Sequence, residues 1–260
     1  MPELPDVETF RRYLDRTSLH QKIEDAEILK QRILTGVTAD KLNADLKDHE
    51  FTGTARHGKY MFIETDKDIV MAVHFGMTGY FKYLDKNEDP PRNTRMLIRF
   101  NNDHRLAFVN RRLLGRVTLV RSSREWIERK KLGPDAVDVT EDQFIKIMRS
   151  SRGNIKAALM EQHHISGIGN IYSDEILFQS GVHPKKTVDQ IDDAKIKDMF
   201  LIMKSILRTA VDKSADPEQL PGTWLIPHRK VGGPCPRCPG VVERVSLGGR
   251  SSYFCPSCQK

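Results

Sequence analysis

The chain opens Met1-Pro2-Glu3-Leu4-Pro5-Asp6-Val7-Glu8-Thr9, and its chemistry begins at the second residue. A small residue after the initiator Met permits removal of that Met, which would leave Pro2 with a free secondary amine. An α-amino group has a reference pKa of about 7.7–8.0, so a useful fraction is unprotonated near neutrality; a lysine reaches that state only under strong perturbation. Attack of a secondary amine on the anomeric carbon of a sugar gives an iminium whose charge cannot be relieved by losing a proton from nitrogen. Such an electron sink favours Schiff-base chemistry, and Glu3 is a candidate proton donor beside it. Met-Pro is a common start, however, and means little without a second observation.

That observation lies at the other end. All four cysteines, Cys235, Cys238, Cys255 and Cys258, form two Cys-x2-Cys pairs with sixteen residues between them. Four soft thiolates in two close pairs suit tetrahedral zinc, each pair on a tight turn with Pro236 or Pro256. Val241-Val242-Glu243-Arg244-Val245, then Gly248-Gly249, then Ser252-Tyr253-Phe254 predicts a β-hairpin between them. Two disulfides are the alternative. With no secretory signal before Pro2 and no other cysteine, a reducing, intracellular setting (cytoplasm or nucleoid) and one structural Zn2+ are expected.

A third motif, Ile165-Ser166-Gly167-Ile168-Gly169-Asn170-Ile171-Tyr172-Ser173-Asp174-Glu175, predicts a tight turn into a helix. Asn170 is placed to cap that helix, whose free N–H groups and positive dipole end would suit a phosphate, with Arg152 and Lys156 as basic partners. An ordinary turn between two helices explains the same residues equally well.

The charge pattern favours an anionic partner. Net charge is +7, yet residues 91–131 hold twelve Lys and Arg against three acids, and residues 222–260 hold six against one. The rest of the chain is therefore net acidic, so the basic residues form two footprints of the kind that bind nucleic acid. A hydrophobic content of 38% and a mean hydropathy of −0.50 fit a soluble chain, and no apolar run approaches a membrane span.

The elements that must position these residues divide the chain. Val7, Phe10 and Leu14 predict a short leading helix with Pro5 in its first turn. From about 22 to 120 the pattern is strand-like, as in Met96, Ile98 and Phe100 or Val117 and Leu119, punctuated by Asn101-Asn102-Asp103 and Gly115. This predicts a mostly antiparallel β-sandwich over 1–122. A linker is expected over 123–135, carrying Arg124, Arg129, Lys130, Lys131 and Gly133-Pro134. Helices follow over 136–225: Thr140-Glu141-Asp142-Gln143 is a capping box, further helices are expected at 154–162, 170–180 and 192–213, and Ile196 to Ala210 forms one apolar stripe. The zinc hairpin occupies 226–260. The fold class is α+β.

Taken together with His57-Gly58-Lys59-Tyr60 and His74-Phe75-Gly76-Met77-Thr78-Gly79, these motifs occur in the order of one family. From Pro2 to Cys258 the chain resembles the bacterial-type formamidopyrimidine-DNA glycosylases, in the superfamily shared with endonuclease VIII. The resemblance implies a helix–two-turns–helix in the helical domain, a monomer without membrane attachment, and damaged double-stranded DNA as partner. It implies that a damaged nucleotide is flipped out of the duplex, that Pro2 displaces the base, and that Glu3 assists by proton transfer to the opening sugar. β-Elimination and δ-elimination follow from the iminium. Lys59 would position phosphate and assist proton transfer, and Arg250 would clamp the phosphates of the extruded nucleotide on a hairpin stiffened by zinc. Met77, Arg112 and Leu114 match the three side chains that fill the gap, with Arg112 facing the orphaned base. His74, Arg152, Lys156 and Asn170 complete the implied DNA contacts. A damage-binding protein that has lost catalysis is the alternative, and intact Pro2, Glu3 and Lys59 argue against it. A zinc-hairpin interaction module without enzyme activity fits the N-terminal motifs less well.

The chain departs from the family pattern at several points. Asn110 stands where an acidic residue is usual, Leu114 where an aromatic is usual, and Asp6 replaces Glu. No histidine occurs in Pro91-Arg92-Asn93-Thr94, and Asp212 to Trp224 is short where many relatives carry a loop over 8-oxoguanine. Reduced or altered 8-oxoguanine preference is the expectation.

Overall fold

The apolar alternation after residue 22 builds two antiparallel four-stranded sheets. In chain order the strands are β1 (Ile23–Ile28), β2 (Phe51–His57), β3 (Tyr60–Thr65), β4 (Val70–His74), β5 (Gly79–Leu84), β6 (Thr94–Phe100), β7 (Arg105–Asn110) and β8 (Arg116–Val120). One sheet has the order β1-β6-β7-β5 and the other β2-β3-β4-β8. Ile23, Phe51, Ile63, Val73, Phe81, Ile98, Phe108 and Val117 from both sheets join one apolar cluster. Burying each such side chain contributes about 1.5–3 kcal/mol.

The computed structural model describes residues 1–260. It comprises a first unit, Met1–Pro2 with Asp6–Lys131, and a second unit, Glu3–Pro5 with Leu132–Lys260. The leading helix α1 (Leu4–Thr17) is fourteen residues long rather than short. Its Val7 and Leu14 belong to the sandwich core and its Leu4 to the core of the second unit.

Two helices of the first unit depart from the strand-and-linker expectation. The first, α2 (Ala39–Leu46), is capped by the Thr38 side chain, which accepts from the Lys41 N–H, and buries Leu42 and Leu46 one turn apart. The second, α3 (Ser123–Arg129), occupies the expected linker and is capped by Ser122. Its Trp126 is buried in a cluster with Phe62 and Ala72, and the cations of Arg129 and Lys130 lie over the ring at 4.6 and 4.8 Å from its centre. A seven-residue helix whose exposed face is charged, with Arg124 and Arg129 against Glu125 and Glu128, and whose one large anchor is an indole reads in sequence as a solvated connector.

The second unit holds α4 (Glu141–Ser150), α5 (Ile155–Met160), α6 (Asn170–Ser180) and α7 (Asp193–Asp212), then β9 (Glu243–Leu247) and β10 (Arg250–Phe254). The Thr140–Gln143 capping box forms as read. The apolar stripe of α7 from Ile196 to Ala210 is buried in one core with α4, α5 and α6. Leu220 and Trp224 enter that core too, so the short stretch after α7 is pinned at both points. No helix is long and apolar enough to cross a membrane.

Candidate functional site

In the second unit the candidate residues gather around the start of α6. Sequence predicts free N–H groups there, capped by Asn170. Instead the N-cap is Gly169, and the donors are closed by a residue far away in the chain. Glu3, 1% exposed, accepts from Gly169 N at 2.7 Å and Tyr172 N at 3.2 Å through Oε2, and from Ile171 N at 2.8 Å through Oε1. A carboxylate at a helix N-terminus is stabilised by these donors and by the dipole. The glycines now have a physical reason. A Cβ on Gly169 would lie 2.5 Å from Glu3 Cδ, and one on Gly167, where φ is +115°, would lie 2.6 Å from a Leu4 methyl. Leu4 N also donates to the Gly167 carbonyl at 3.1 Å. The motif is a socket for the Glu3-Leu4 dipeptide, and Pro2 is bonded directly to the residue it grips.

Asn170 turns its amide to the hairpin, donating to Ser251 O at 3.0 Å, while its Oδ1 is buried without a partner. Lys156 differs from an accessible phosphate ligand. It is 2% exposed and its Nζ lies 2.5 Å from Asp174 Oδ1. Burial holds the Lys156 ammonium below its ordinary range, against the pull of Asp174. Arg152 is exposed beside a cavity of about 310 Å³ that also includes Arg149 and Asp189. Arg250 is exposed and borders a cavity of about 450 Å³ with Asn154, Lys156, Met160 and Gln162.

The hairpin that carries Arg250 pairs Leu247 with Arg250 across Gly248-Gly249, both at positive φ of +55° and +74°. A two-residue turn with both φ positive matches strand twist and demands glycine or asparagine. At the hairpin root the four Cys Sγ atoms lie within 4.8 Å of one another, with Cys235–Cys258 at 3.7 Å and Cys238–Cys255 at 3.6 Å. Tetrahedral zinc with bonds of about 2.3 Å places sulfurs about 3.8 Å apart, so the cage fits one Zn2+. Arg237 N and Gly240 N point at Cys235 and Cys238 sulfurs at 3.4 and 3.3 Å, the donors thiolates need. Four protein ligands close the site, which makes it structural.

Within the first unit, two turns are held by one buried amide. Asn110, fully buried, donates from Nδ2 to Phe75 O at 2.9 Å and accepts at Oδ1 from Leu114 N at 3.1 Å. It thereby joins the turn bearing Met77 to the turn bearing Arg112 and Leu114. Gly76 has φ +63°, and a Cβ there would meet the Leu114 carbonyl carbon at 2.4 Å. Met77 and Leu114 stand out at 39% and 38% exposure, and Arg112 is exposed between them in sequence. Leu113 adopts φ +54°, a left-handed state that costs a non-glycine residue about 1–2 kcal/mol.

Lys59 sits in the two-residue turn joining β2 to β3, after Gly58 at φ +57°, and is 7% exposed. His74 ends β4, facing Tyr60 on one neighbour and Arg116 on the other, and its Nδ1 accepts from Gly76 N at 3.2 Å. Burial, then the charges of Lys59, Arg116 and Lys130, push the His74 imidazolium down to about 4. His74 is therefore neutral at pH 7, in a nest of cations.

Comparison with known proteins follows the same division. Residues 1–117 match the family described as formamidopyrimidine-DNA glycosylase N-terminal domain, 132–219 its H2TH domain, and 232–260 a zinc finger found in FPG and IleRS. A protein of Synechocystis sp. named formamidopyrimidine-DNA glycosylase is 33% identical over 285 residues, covering all of this chain and 98% of the relative. A protein of the same name from Rippkaea orientalis is 33% identical over 283 residues with both chains covered in full. Among solved structures, a complex between Lactococcus lactis Fpg and DNA containing an abasic site superposes with a TM-score of 0.90 at 28% identity, covering 99% of both chains. MutM in complex with DNA containing carbocyclic 8-oxo-G gives 0.91 at 28% identity with full coverage.

Proposed function

The chain belongs to the formamidopyrimidine-DNA glycosylase family, and from that premise we propose that it excises oxidised or ring-opened bases from duplex DNA and then cleaves the strand, acting as a monomer within the cell. The Glu3 socket is the observation that carries this reading. It holds the residue bonded to Pro2 by three backbone donors, so an N-terminal amine would start from an anchored position, and anchoring a nucleophile removes much of the entropic barrier to attack.

The Pro2 nitrogen attacks C1′ of the flipped nucleotide, the glycosidic bond breaks, and the base departs with its electron pair. Glu3 assists proton transfer to the sugar oxygen as the ring opens to the iminium. Loss of a C2′ proton to a base then expels the 3′ phosphate, and a second elimination expels the 5′ phosphate. Lys59 and Arg250 hold those phosphates, Arg250 from the tip of the zinc hairpin. His74, Arg152 and Asn170 contribute further backbone contacts, and Lys156 acts from its ion pair with Asp174 rather than as a free cation. Met77, Arg112 and Leu114 enter the gap left by the flipped nucleotide, and the aliphatic Leu114 forgoes ring stacking of about 1–3 kcal/mol.

Preference for 8-oxoguanine is reduced relative to formamidopyrimidine and hydantoin lesions. Leu114 supports this, as does the stretch after α7, whose Leu220 and Trp224 are held in the core and are not available to cover a base. Single-turnover rates on duplexes carrying each lesion test both parts. Base release with strand cleavage, fastest on the ring-opened or hydantoin duplex, is expected. A dominant 8-oxoguanine rate would contradict the preference, and no cleavage of any duplex would contradict the activity.

A further inference from the structure

The tip of the zinc hairpin lies five residues from Cys255, roughly 17 Å along an extended strand, so the metal alone fixes the root better than the tip. Around the tip, Gly248 and Gly249 have nothing within 4 Å of a would-be side chain, and Ser246 of β9 is exposed, as are Glu243 and Arg244 further down the strand. The anchoring comes through β10, and it converges on Asp174 of α6. That carboxylate, 0% exposed, accepts from Ser252 Oγ at 2.7 Å, Tyr253 N at 3.0 Å and Arg229 Nη2 at 2.7 Å. Lys156 Nζ completes the set at 2.5 Å and also reaches Ser251 O at 3.5 Å. Arg229 stacks over Tyr253 at 4.7 Å. One carboxylate thus pairs with a buried and a half-buried cation from different segments and fixes Ser252 and Tyr253, just beyond Arg250.

We propose that Asp174 is a positioning residue for the Arg250 grip, holding β10 against α5 and α6 so that the guanidinium is aimed without reliance on the zinc alone. The proposal rests on the reading of Arg250 as the phosphate clamp. Asp174→Asn leaves Lys156 and Arg229 without their shared counter-charge, and because Ser252 Oγ and Tyr253 N bind different oxygens, the single amide oxygen can serve only one of them. Arg250 then samples many positions and the clamp weakens, although the cysteines remain metallated.

A double-mutant cycle separates this from a general structural role. Affinity for a duplex containing a tetrahydrofuran abasic analogue is measured for the parent, Arg250→Ala, Asp174→Asn and the double variant, with zinc content determined for each. Each single substitution is expected to weaken binding on the order of ten-fold, as for loss of a charged hydrogen bond. The double variant is expected to bind like Arg250→Ala, with zinc retained throughout. Ser252→Ala, which removes a single donor and keeps the charges, repeats the cycle with a smaller effect of the same sign if Asp174→Asn loses its fold. Independent, multiplying effects of Asp174→Asn and Arg250→Ala would overturn the proposal alone. An Arg250→Ala variant that binds like the parent would overturn the clamp reading and the proposal together.

Discussion

At the scale of single residues, Glu3 is held as an acceptor on both oxygens, and an amide cannot replace it evenly. In Glu3→Gln at least one backbone N–H of α6 would face an NH2 group. A fall in stability of about 1–3 kcal/mol is expected, read as a lowered melting temperature beside the loss of activity. An unchanged melting temperature would show that the socket contributes nothing to the fold. His74 and Glu175 make opposite pH predictions. Burial pushes the His74 imidazolium down to about 4 from an ordinary 6.5, so the unfolded chain takes up the proton first and stability falls as pH drops from 6.5 towards 4. Burial pushes the Glu175 carboxyl up to about 7 from 4.5, against hydrogen bonds from Gln179, Ile226 and Leu225 and the charge of Arg229. The folded chain then holds that proton longer, and stability falls as pH rises from 4.5 towards 7. Between about 4.5 and 6.5 the two slopes oppose each other. Urea midpoints across that window should rise towards acid in His74→Gln and fall towards acid in Glu175→Gln; the same slope in both variants would refute the assignment.

At the scale of elements, Asn110 shows why a departure from a family pattern can still be a designed contact. Its amide donates to one turn and accepts from the other, and a carboxylate could do only the second. Asn110→Asp should lower stability by about 1–3 kcal/mol in chemical denaturation and loosen the turns of Met77 and Arg112 together. A variant as stable as the parent would show that the bridge is not needed. What was legible in the sequence follows from locality. The zinc cage is written in two Cys-x2-Cys pairs with sixteen residues between them, and the Gly248-Gly249 turn in two adjacent residues, so spacing alone revealed them. The same holds for the Thr140 capping box and the α7 stripe. Helix α2 was written just as locally, in Thr38, Leu42 and Leu46, but its eight residues lie among strands and were absorbed into their pattern. Helix α3 was hidden by its exposed charged face, which leaves Trp126 as its one large apolar residue. The Glu3 socket was not legible at all, because its carboxylate and the donors it closes are about 166 positions apart and the only local trace is a pair of glycines whose neighbours come from the other end of the chain.

At the scale of the whole molecule, two units with separate cores and a metal cage in only one of them predict unequal responses to chelation. Cys235 and Cys255 also sit in a small apolar cluster with Phe178, Leu225 and Val242, so metal loss removes packing as well as ligands. Calorimetry with a chelator should lower the transition of the second unit and leave that of the first in place, and DNA affinity should fall with it. Equal shifts of all unfolding would contradict a cage whose effect is local.

The central claim is that the amine of Pro2 forms the covalent bond to deoxyribose. Borohydride reduction of the processed, zinc-loaded protein on abasic duplex, followed by peptide mapping in the mass spectrometer, tests it most directly. The sugar adduct is predicted on the N-terminal peptide, at the Pro2 nitrogen. An adduct on an internal lysine such as Lys59 or Lys156 with the first peptide unmodified, or no adduct at all, would contradict the account.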